Sequence, residues 1–183
     1  ALRLVVGMAA LLAPLLHTLT DLMEWYQHGF SRSQLWLNYV AFLPMPWLLL
    51  GLYAVHDPRP RAAGLLGAIL YGAAFTYFAH TTLYALAEGL PDYGTLWVRL
   101  GATYTLHGAI MVSGGTMFAW SVLQAGWLPR VPVILFLAGL LANLALALLS
   151  LPEILQTIGS AVRNAGIVWM GQAVLFGQRR TLS

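Results

Sequence analysis

Four ionisable residues share one face of the first long apolar segment of this sequence. His17, Asp21, Glu24 and His28 follow one another at intervals of four, three and four residues. On an α-helix, with about 100° between successive residues, they fall within roughly 60° of one another and form a narrow stripe. Charged groups within a bilayer cost several kcal/mol unless they face a partner, a cavity or the interface. We therefore expect this stripe to belong to the functional site.

The side chains of this stripe are suited to acid/base chemistry. A carboxyl group such as Asp21 or Glu24 can donate or accept a proton, and an imidazole such as His17 can relay it. We predict Asp21, Glu24 and His17 as catalytic residues.

Two further histidines, His80 and His107, fall inside other apolar segments and have polar neighbours on their own helical faces. Tyr84 follows His80 by one turn, and Thr103 precedes His107 by one turn. Arg163, in the last apolar segment, is predicted to reach a similar depth. We predict that these side chains bind a ligand or cofactor: His80, His107, Arg163, Tyr84 and Thr103. Further amide groups lie in apolar segments at Asn38, Asn143 and Asn164.

These residue types leave several kinds of site open. Two imidazoles, His80 and His107, could be the axial ligands of a b-type haem. A divalent metal that activates water could be held by His17, Asp21, His80 and His107. A site without a cation would use the carboxyl groups for acid/base chemistry on a lipophilic substrate. The alternatives are a proton or ion path in a transporter, or a non-catalytic subunit of a membrane complex whose polar groups satisfy one another.

The composition is that of a polytopic membrane protein. Of the 183 residues, 60% are hydrophobic and 8% are charged, against about 25% charged in ordinary soluble domains. The sequence contains no cysteine, which excludes disulfides, thiolate metal sites and iron–sulfur clusters in this chain. Its basic residues form no run, so we expect no nucleic-acid partner. The expected partners are membrane lipids and other copies or subunits within the membrane.

Uncharged windows between the charged residues predict one transmembrane domain over residues 1–183. Each window is long enough, or nearly so, to cross about 30 Å of hydrocarbon at 1.5 Å per residue. Prolines at 44 and 46 predict a kink, Gly114-Gly115 predicts a bend, and Ala68 with Gly72 permits close helix packing. The six predicted helices are 3–27, 35–55, 62–87, 96–124, 132–151 and 153–177.

The arginine distribution predicts that both termini are cytoplasmic. With the first residues inside, the cytoplasmic side receives six arginines and the opposite side three, as the positive-inside rule requires. The chain would then lie in the inner membrane of a bacterium, with its polar pocket in the outer half of the bilayer. The six cytoplasmic arginines are Arg3, Arg59, Arg61, Arg130, Arg179 and Arg180, and the other three are Arg32, Arg99 and Arg163.

Overall fold

A computed structural model describes residues 1–56, 61–126, 128–149 and 153–177 of the chain. These ranges contain α-helices and no β-strand, so the predicted all-α class is confirmed for them. The helices are α1 (Leu2–Gln27), α2 (Arg32–Phe42), α3 (Met45–Ala54), α4 (Ala62–Glu88), α5 (Tyr93–Leu100), α6 (Ala102–Ala125), α7 (Arg130–Leu148) and α8 (Glu153–Phe176).

Five segments within the described ranges are long and apolar enough to cross a membrane. They are α1, α2 together with α3, α4, α6 and α7. The chain therefore has the build of a helical membrane protein. Helix α8 has sufficient length, but Arg163 and Asn164 near its middle lower its hydropathy. The sixth span and the cytoplasmic termini stay predictions, and Arg59, Arg179 and Arg180 lie outside the described residues.

The helices form a closed ring in chain order. Helices α2 and α3 together make up one candidate span, the short helix α5 precedes α6, and each span packs against the next. Helix α8 closes the ring on α1. At one end, which we call the N-terminal end, Arg3 Nη2 donates to the Val174 carbonyl oxygen at 3.0 Å. At the far end, Phe30 N–H donates to the Pro91 carbonyl oxygen at 2.6 Å.

Two of the predicted helices, 35–55 and 96–124, are each divided in two at a residue that disfavours a continuous helix. Helix α2 ends at Phe42 and α3 begins at Met45, directly after Pro44, so the predicted proline kink is confirmed. The second break is at Gly101, whose φ of 54° and ψ of −133° fall in a region that side chains with a Cβ avoid. Gly114 and Gly115, where a bend was predicted, lie inside the continuous helix α6.

The interior of the ring is filled with side chains and is not a pore. Tyr71, Phe75, Phe118 and Phe136 are completely or almost completely buried. Tyr71 of α4 contacts Phe136 of α7 across the interior, with ring centroids 5.8 Å apart. Such dense aromatic packing fixes the positions of the helices that carry the polar residues described below.

Candidate functional site

A buried polar cluster lies where α1 packs against α8. Toward the N-terminal end the two helices approach through small residues: a Cβ on Gly171 would lie 2.7 Å from the Ala10 Cβ and 3.1 Å from the Gly7 carbonyl oxygen. This close approach lets Arg163 of α8 reach His17 of α1. His17 precedes the end of α1 by ten residues, which is about 15 Å along the helix axis. The cluster is therefore at mid-depth in both helices.

Three ionisable side chains in this cluster follow one another in contact, and we call them the relay: Arg163, His17 and Asp21. Arg163 Nη2 lies 3.1 Å from His17 Nδ1. His17 Nε2 lies 3.3 Å from Asp21 Oδ1. Arg163, His17 and Asp21 are 3%, 6% and 8% exposed. A cation and a carboxylate are thus joined through one imidazole away from bulk water.

The guanidinium determines which imidazole nitrogen carries the hydrogen. Arginine can only donate hydrogen bonds, so His17 Nδ1 must present its lone pair to Arg163. The ring hydrogen then lies on Nε2, which donates to the Asp21 carboxylate. This hydrogen-bond pattern requires a neutral imidazole, because a second hydrogen at Nδ1 would point at the guanidinium.

Arg163 is held in place by the residue that follows it in the chain. The Asn164 side-chain oxygen accepts hydrogen bonds from Arg163 Nε at 3.2 Å and from Nη2 at 3.1 Å. Asn164 Nδ2 donates to Thr18 Oγ1 at 2.9 Å, and Thr18 Oγ1 donates to the Pro14 carbonyl oxygen at 2.9 Å. The guanidinium carbon also lies 5.8 Å from the centroid of the Phe75 ring. The cation is therefore fixed by hydrogen bonds on one side and by an aromatic face on another.

Uncharged polar groups extend the cluster from Asp21 toward the far end. Thr20 Oγ1 lies 2.8 Å from the His17 carbonyl oxygen and 3.1 Å from Asn38 Oδ1, and it shares its hydrogen between them. Gln34 Nε2 donates to the Thr20 carbonyl oxygen at 3.3 Å. Asn38 Nδ2 donates to the Tyr93 hydroxyl at 3.4 Å. Helices α2 and α5 thus supply the part of the cluster nearest the far end.

The electrostatic environment at the far end is set by the carboxyl groups of α1. Burial is the main reason that the pKa of Tyr93 is raised well above its ordinary value, and the Glu24 carboxylate is the next largest cause. Asp21 raises it further, whereas the hydrogen bond from Asn38 lowers it. Tyr93 therefore keeps its hydroxyl hydrogen throughout the ordinary pH range and remains available as a hydrogen-bond donor.

The structure brings together only some of the residues that were predicted to form the site. His17, Asp21 and Arg163 are in direct contact. Glu24 is half-buried one turn beyond Asp21, on the Tyr93 side. The cluster is built from α1, α2, α5 and α8, whereas the sequence predicted a pocket between the first, third, fourth and sixth spans. The catalytic and binding roles assigned to these residues stay predictions.

The other predicted ligand residues lie on α4 and α6. His107 stacks on Tyr77 with ring centroids 3.7 Å apart, and its Nδ1 is 2.8 Å from the Thr103 carbonyl oxygen. His80 and Thr103 are exposed on the outer surface of the ring, and Tyr84 is half-buried. The hydrogen bond of His107 is thus within its own helix, whereas His17 contacts Asp21 of its own helix and Arg163 of α8.

The four residues predicted as metal ligands do not converge. His17 and Asp21 are together in the relay, whereas His80 is on α4 and His107 is on α6. Within the described ranges no group of three or more histidine, cysteine, aspartate or glutamate side chains is placed to hold a metal ion. The guanidinium next to His17 also opposes a bound cation there. The geometry offers no support for the metal hypothesis. Of the two histidines predicted as haem ligands, His80 is exposed and His107 stacks on Tyr77.

Sequence reasoning missed the uncharged members of the cluster. Thr18, Thr20 and Gln34 attracted no prediction, because threonine and glutamine also occur in membrane helices without any site. A signal was present in their spacing. Gln34 lies one turn before Asn38, so two amides share a face of α2, and both are almost completely buried.

A groove of about 360 Å³ lies between α1 and α8 beside the relay. Thr18, Asn164 and the exposed Gln172 are the polar uncharged residues that line it. Leu15 and Trp169, which are 55% and 43% exposed, lie along its sides on the outer surface of the ring. The groove therefore opens toward the space that lipid would occupy around a membrane protein.

No known protein-family model, curated protein or solved structure matches the chain.

Proposed function

We propose that this protein binds a small lipophilic ligand from the membrane beside the relay and uses the relay for acid/base chemistry on that ligand. The observation that carries the proposal is the buried imidazole of His17, which contacts both Arg163 and Asp21. In the orientation predicted from the arginines, with α8 as the sixth span, the relay would open to the outer half of the bilayer. His17 and Asp21 are then the acid/base pair, and Glu24 lies between them and the far end.

The interposed imidazole favours a chemical role over simple charge neutralisation. A buried arginine is stabilised most directly by a carboxylate in bidentate contact with it. Here a titratable ring separates the two charges, with its hydrogen directed at Asp21. A carboxyl group next to an imidazole is the pair of side chains that general acid/base chemistry uses most often.

The surroundings of the relay favour a site open to one side over a path across the membrane. From His17 toward the far end, the cluster continues through Thr20, Asn38 and Tyr93. Toward the N-terminal end, the buried residues between α1 and α8 are apolar: Val6, Ala10, Ala13, Ile167, Met170 and Val174. A proton or ion would have to cross this apolar half, which is costly without water or polar groups.

The proposal is tested by removing both charges of the relay together. The double variant Arg163→Gln, Asp21→Asn keeps hydrogen-bonding groups but leaves no charge to bury, so we expect it to fold. Wild type and variant would be purified in polymer-bounded lipid discs, and their organic extracts would be compared by mass spectrometry. We expect a lipophilic molecule that the wild type retains in near-stoichiometric amount and that the variant retains at least tenfold less.

A matched histidine variant and a spectroscopic measurement complete the test. His107→Asn alters a histidine outside the cluster and should retain the same molecule as wild type. In protein labelled with ¹⁵N-histidine, the His17 signals should report a neutral ring with hydrogen on Nε2, and adding the retained molecule should shift them. Equal retention by the double variant, together with His17 signals that do not respond, would contradict the proposed function and favour a structural subunit.

A further inference from the structure

The groove between α1 and α8 ends on an amide that the relay polarises. Asn164 accepts two hydrogen bonds from the Arg163 guanidinium through its side-chain oxygen. Hydrogen bonds from a cation draw electron density toward that oxygen, so the N–H groups of the same amide become stronger donors. Asn164 is only 1% exposed, yet it is among the residues that line the groove.

One hydrogen of this polarised amide is available. Asn164 Nδ2 carries two hydrogens, and one of them is donated to Thr18 Oγ1. For the other, no acceptor is found in the part of the chain that the structure describes. Thr18 Oγ1 donates to the Pro14 carbonyl oxygen and accepts from Asn164, so it has no hydrogen left to offer. Asn164 is one of two amides that line the groove, with Gln172, so an occupant that carries a hydrogen-bond acceptor would match it.

The position of the groove indicates what carries that acceptor. Asn164 follows the start of α8 by eleven residues, or about 16 Å. With α8 as the proposed sixth span, the amide would lie near the middle of a bilayer about 30 Å thick. A charged head group would be strongly disfavoured there. An uncharged carbonyl accepts a hydrogen bond without carrying a charge into that region. The exposed Leu15 and Trp169 side chains offer apolar contacts for the rest of the molecule.

We infer that the groove binds an uncharged single-chain lipophile through a carbonyl oxygen that accepts the free Asn164 amide hydrogen. The inference rests on the proposed function and names its ligand class. The volume of about 360 Å³ lies near the lower end of the range for ligand sites and suits one chain better than a two-chain phospholipid. The carbonyl of the occupant would then lie beside Asn164, which connects the groove to Arg163 of the relay.

The test uses competitive photolabelling of the full chain in lipid discs. The probe is a methyl palmitate analogue that carries a diazirine on its chain. The competitors are methyl oleate, which has the carbonyl, and octadecene, which has a similar chain without it. Peptides that contain Thr18 or Trp169 should be labelled, and methyl oleate should suppress this labelling at least tenfold better than octadecene. Equal suppression by both competitors would overturn the role of the carbonyl.

A steric variant separates the groove from the lipid-facing surface in general. Ala165→Phe places a ring in the groove from an exposed position of α8 and changes no group of the relay. Ala73→Phe, at an exposed position of α4, is the matched control. We expect Ala165→Phe to lower the labelling of the α1 and α8 peptides at least tenfold, and Ala73→Phe to leave it unchanged. Labelling spread evenly over all lipid-facing helices would overturn the inference.

The outcomes distinguish this inference from the proposed function. If Ala165→Phe still retains the co-purified molecule and that molecule still shifts the His17 signals, the groove is not its binding site, although the relay function stands. In the opposite case the groove is labelled as expected, but neither ligand retention nor the His17 signals depend on the relay charges. The groove is then a binding site for the lipophile, and the proposed acid/base function of the relay is wrong.

Discussion

Two helix pairs of this protein pack closely, yet they bury very different residues. Between α4 and α6 the contact is made by backbone: a Cβ on Gly114 would lie 2.7 Å from the Gly67 carbonyl oxygen and 2.7 Å from the Tyr71 amide nitrogen. Between α1 and α8, small residues make a similar contact at one end, and the relay fills the middle. Small side chains bring the backbones together in both pairs. Only in the second does that approach enclose charges.

The same contrast separates two histidines that lie in long apolar helices. His17 is buried and contacts charged side chains on two helices. His107 is half-buried, bonds to the Thr103 carbonyl oxygen of its own helix and stacks on Tyr77. The two histidines therefore differ in what the neighbouring helix supplies: α8 places the Arg163 cation against His17, whereas α4 places the Tyr77 ring against His107.

The largest effect should come from removing the relay cation alone. Arg163→Leu leaves the buried Asp21 carboxylate without its cation, and we expect a loss of about 3–5 kcal/mol in the free energy of unfolding. The double variant Arg163→Gln, Asp21→Asn should recover most of that loss. Both are measured by titrating folded protein in mixed micelles with denaturing detergent. Equal losses in the two variants would show that packing, and not charge, holds α1 to α8.

The two histidines should differ clearly when each is replaced by leucine. His17→Leu removes the group that bonds both Arg163 and Asp21, and we expect a loss of about 2–3 kcal/mol. His107→Leu removes one bond within a helix and a partly exposed stack, and the loss should stay below about 1 kcal/mol. The same detergent titration applies to both. Similar losses would remove the distinction drawn between the two helix pairs.

Two glycines of α6 test the close contact between α4 and α6. Gly114→Ala forces a Cβ against the backbone of α4, and overpacking of this kind costs about 1–3 kcal/mol. Gly108 has open space where its Cβ would lie. Gly108→Ala should therefore stabilise the helix by up to about 1 kcal/mol through its higher helix propensity. Destabilisation by both substitutions would point to backbone geometry instead of contact with α4.

A third histidine, His56, should give the smallest effect and one that depends on pH. Burial lowers its pKa from the ordinary value of 6.5 to about 4, although its bond to the Leu52 carbonyl oxygen acts in the opposite direction. The unfolded chain therefore binds more protons between these values, and the wild type should lose stability as the pH falls from 6.5 through about 4. Because His56 is only half-buried, we expect less than about 1 kcal/mol.

The variant His56→Gln isolates this contribution. It lacks the titrating group, so its stability should fall less steeply than that of wild type over the same pH interval. Thermal unfolding in detergent at several pH values gives the comparison. Parallel curves for the two proteins would mean that other groups account for the whole pH dependence.

The predicted helices come close to those of the structure because apolar segments and helix breakers are local features. The second predicted helix is interrupted at Pro44, as predicted, because proline lacks the backbone N–H that a continuous helix needs. The fourth predicted helix is divided at Gly101, whereas Gly114 and Gly115 lie inside the continuous helix α6. The sequence does not distinguish a glycine that packs against a neighbouring helix, such as Gly114, from one that adopts a positive φ, such as Gly101. Their difference depends on the helix opposite.

The sequence by itself determined the all-α membrane-protein class, the approximate helix bounds, and the positions of His17 and Arg163 in the inner parts of their helices. These follow from hydropathy and helical periodicity, which act over a few neighbouring residues. Only the tertiary structure decided that His17 meets Arg163 and that Asn164 and Thr18 join them. The two residues in contact are 146 positions apart in the chain. Their meeting depends on α8 closing the ring on α1, and no local pattern contains that information.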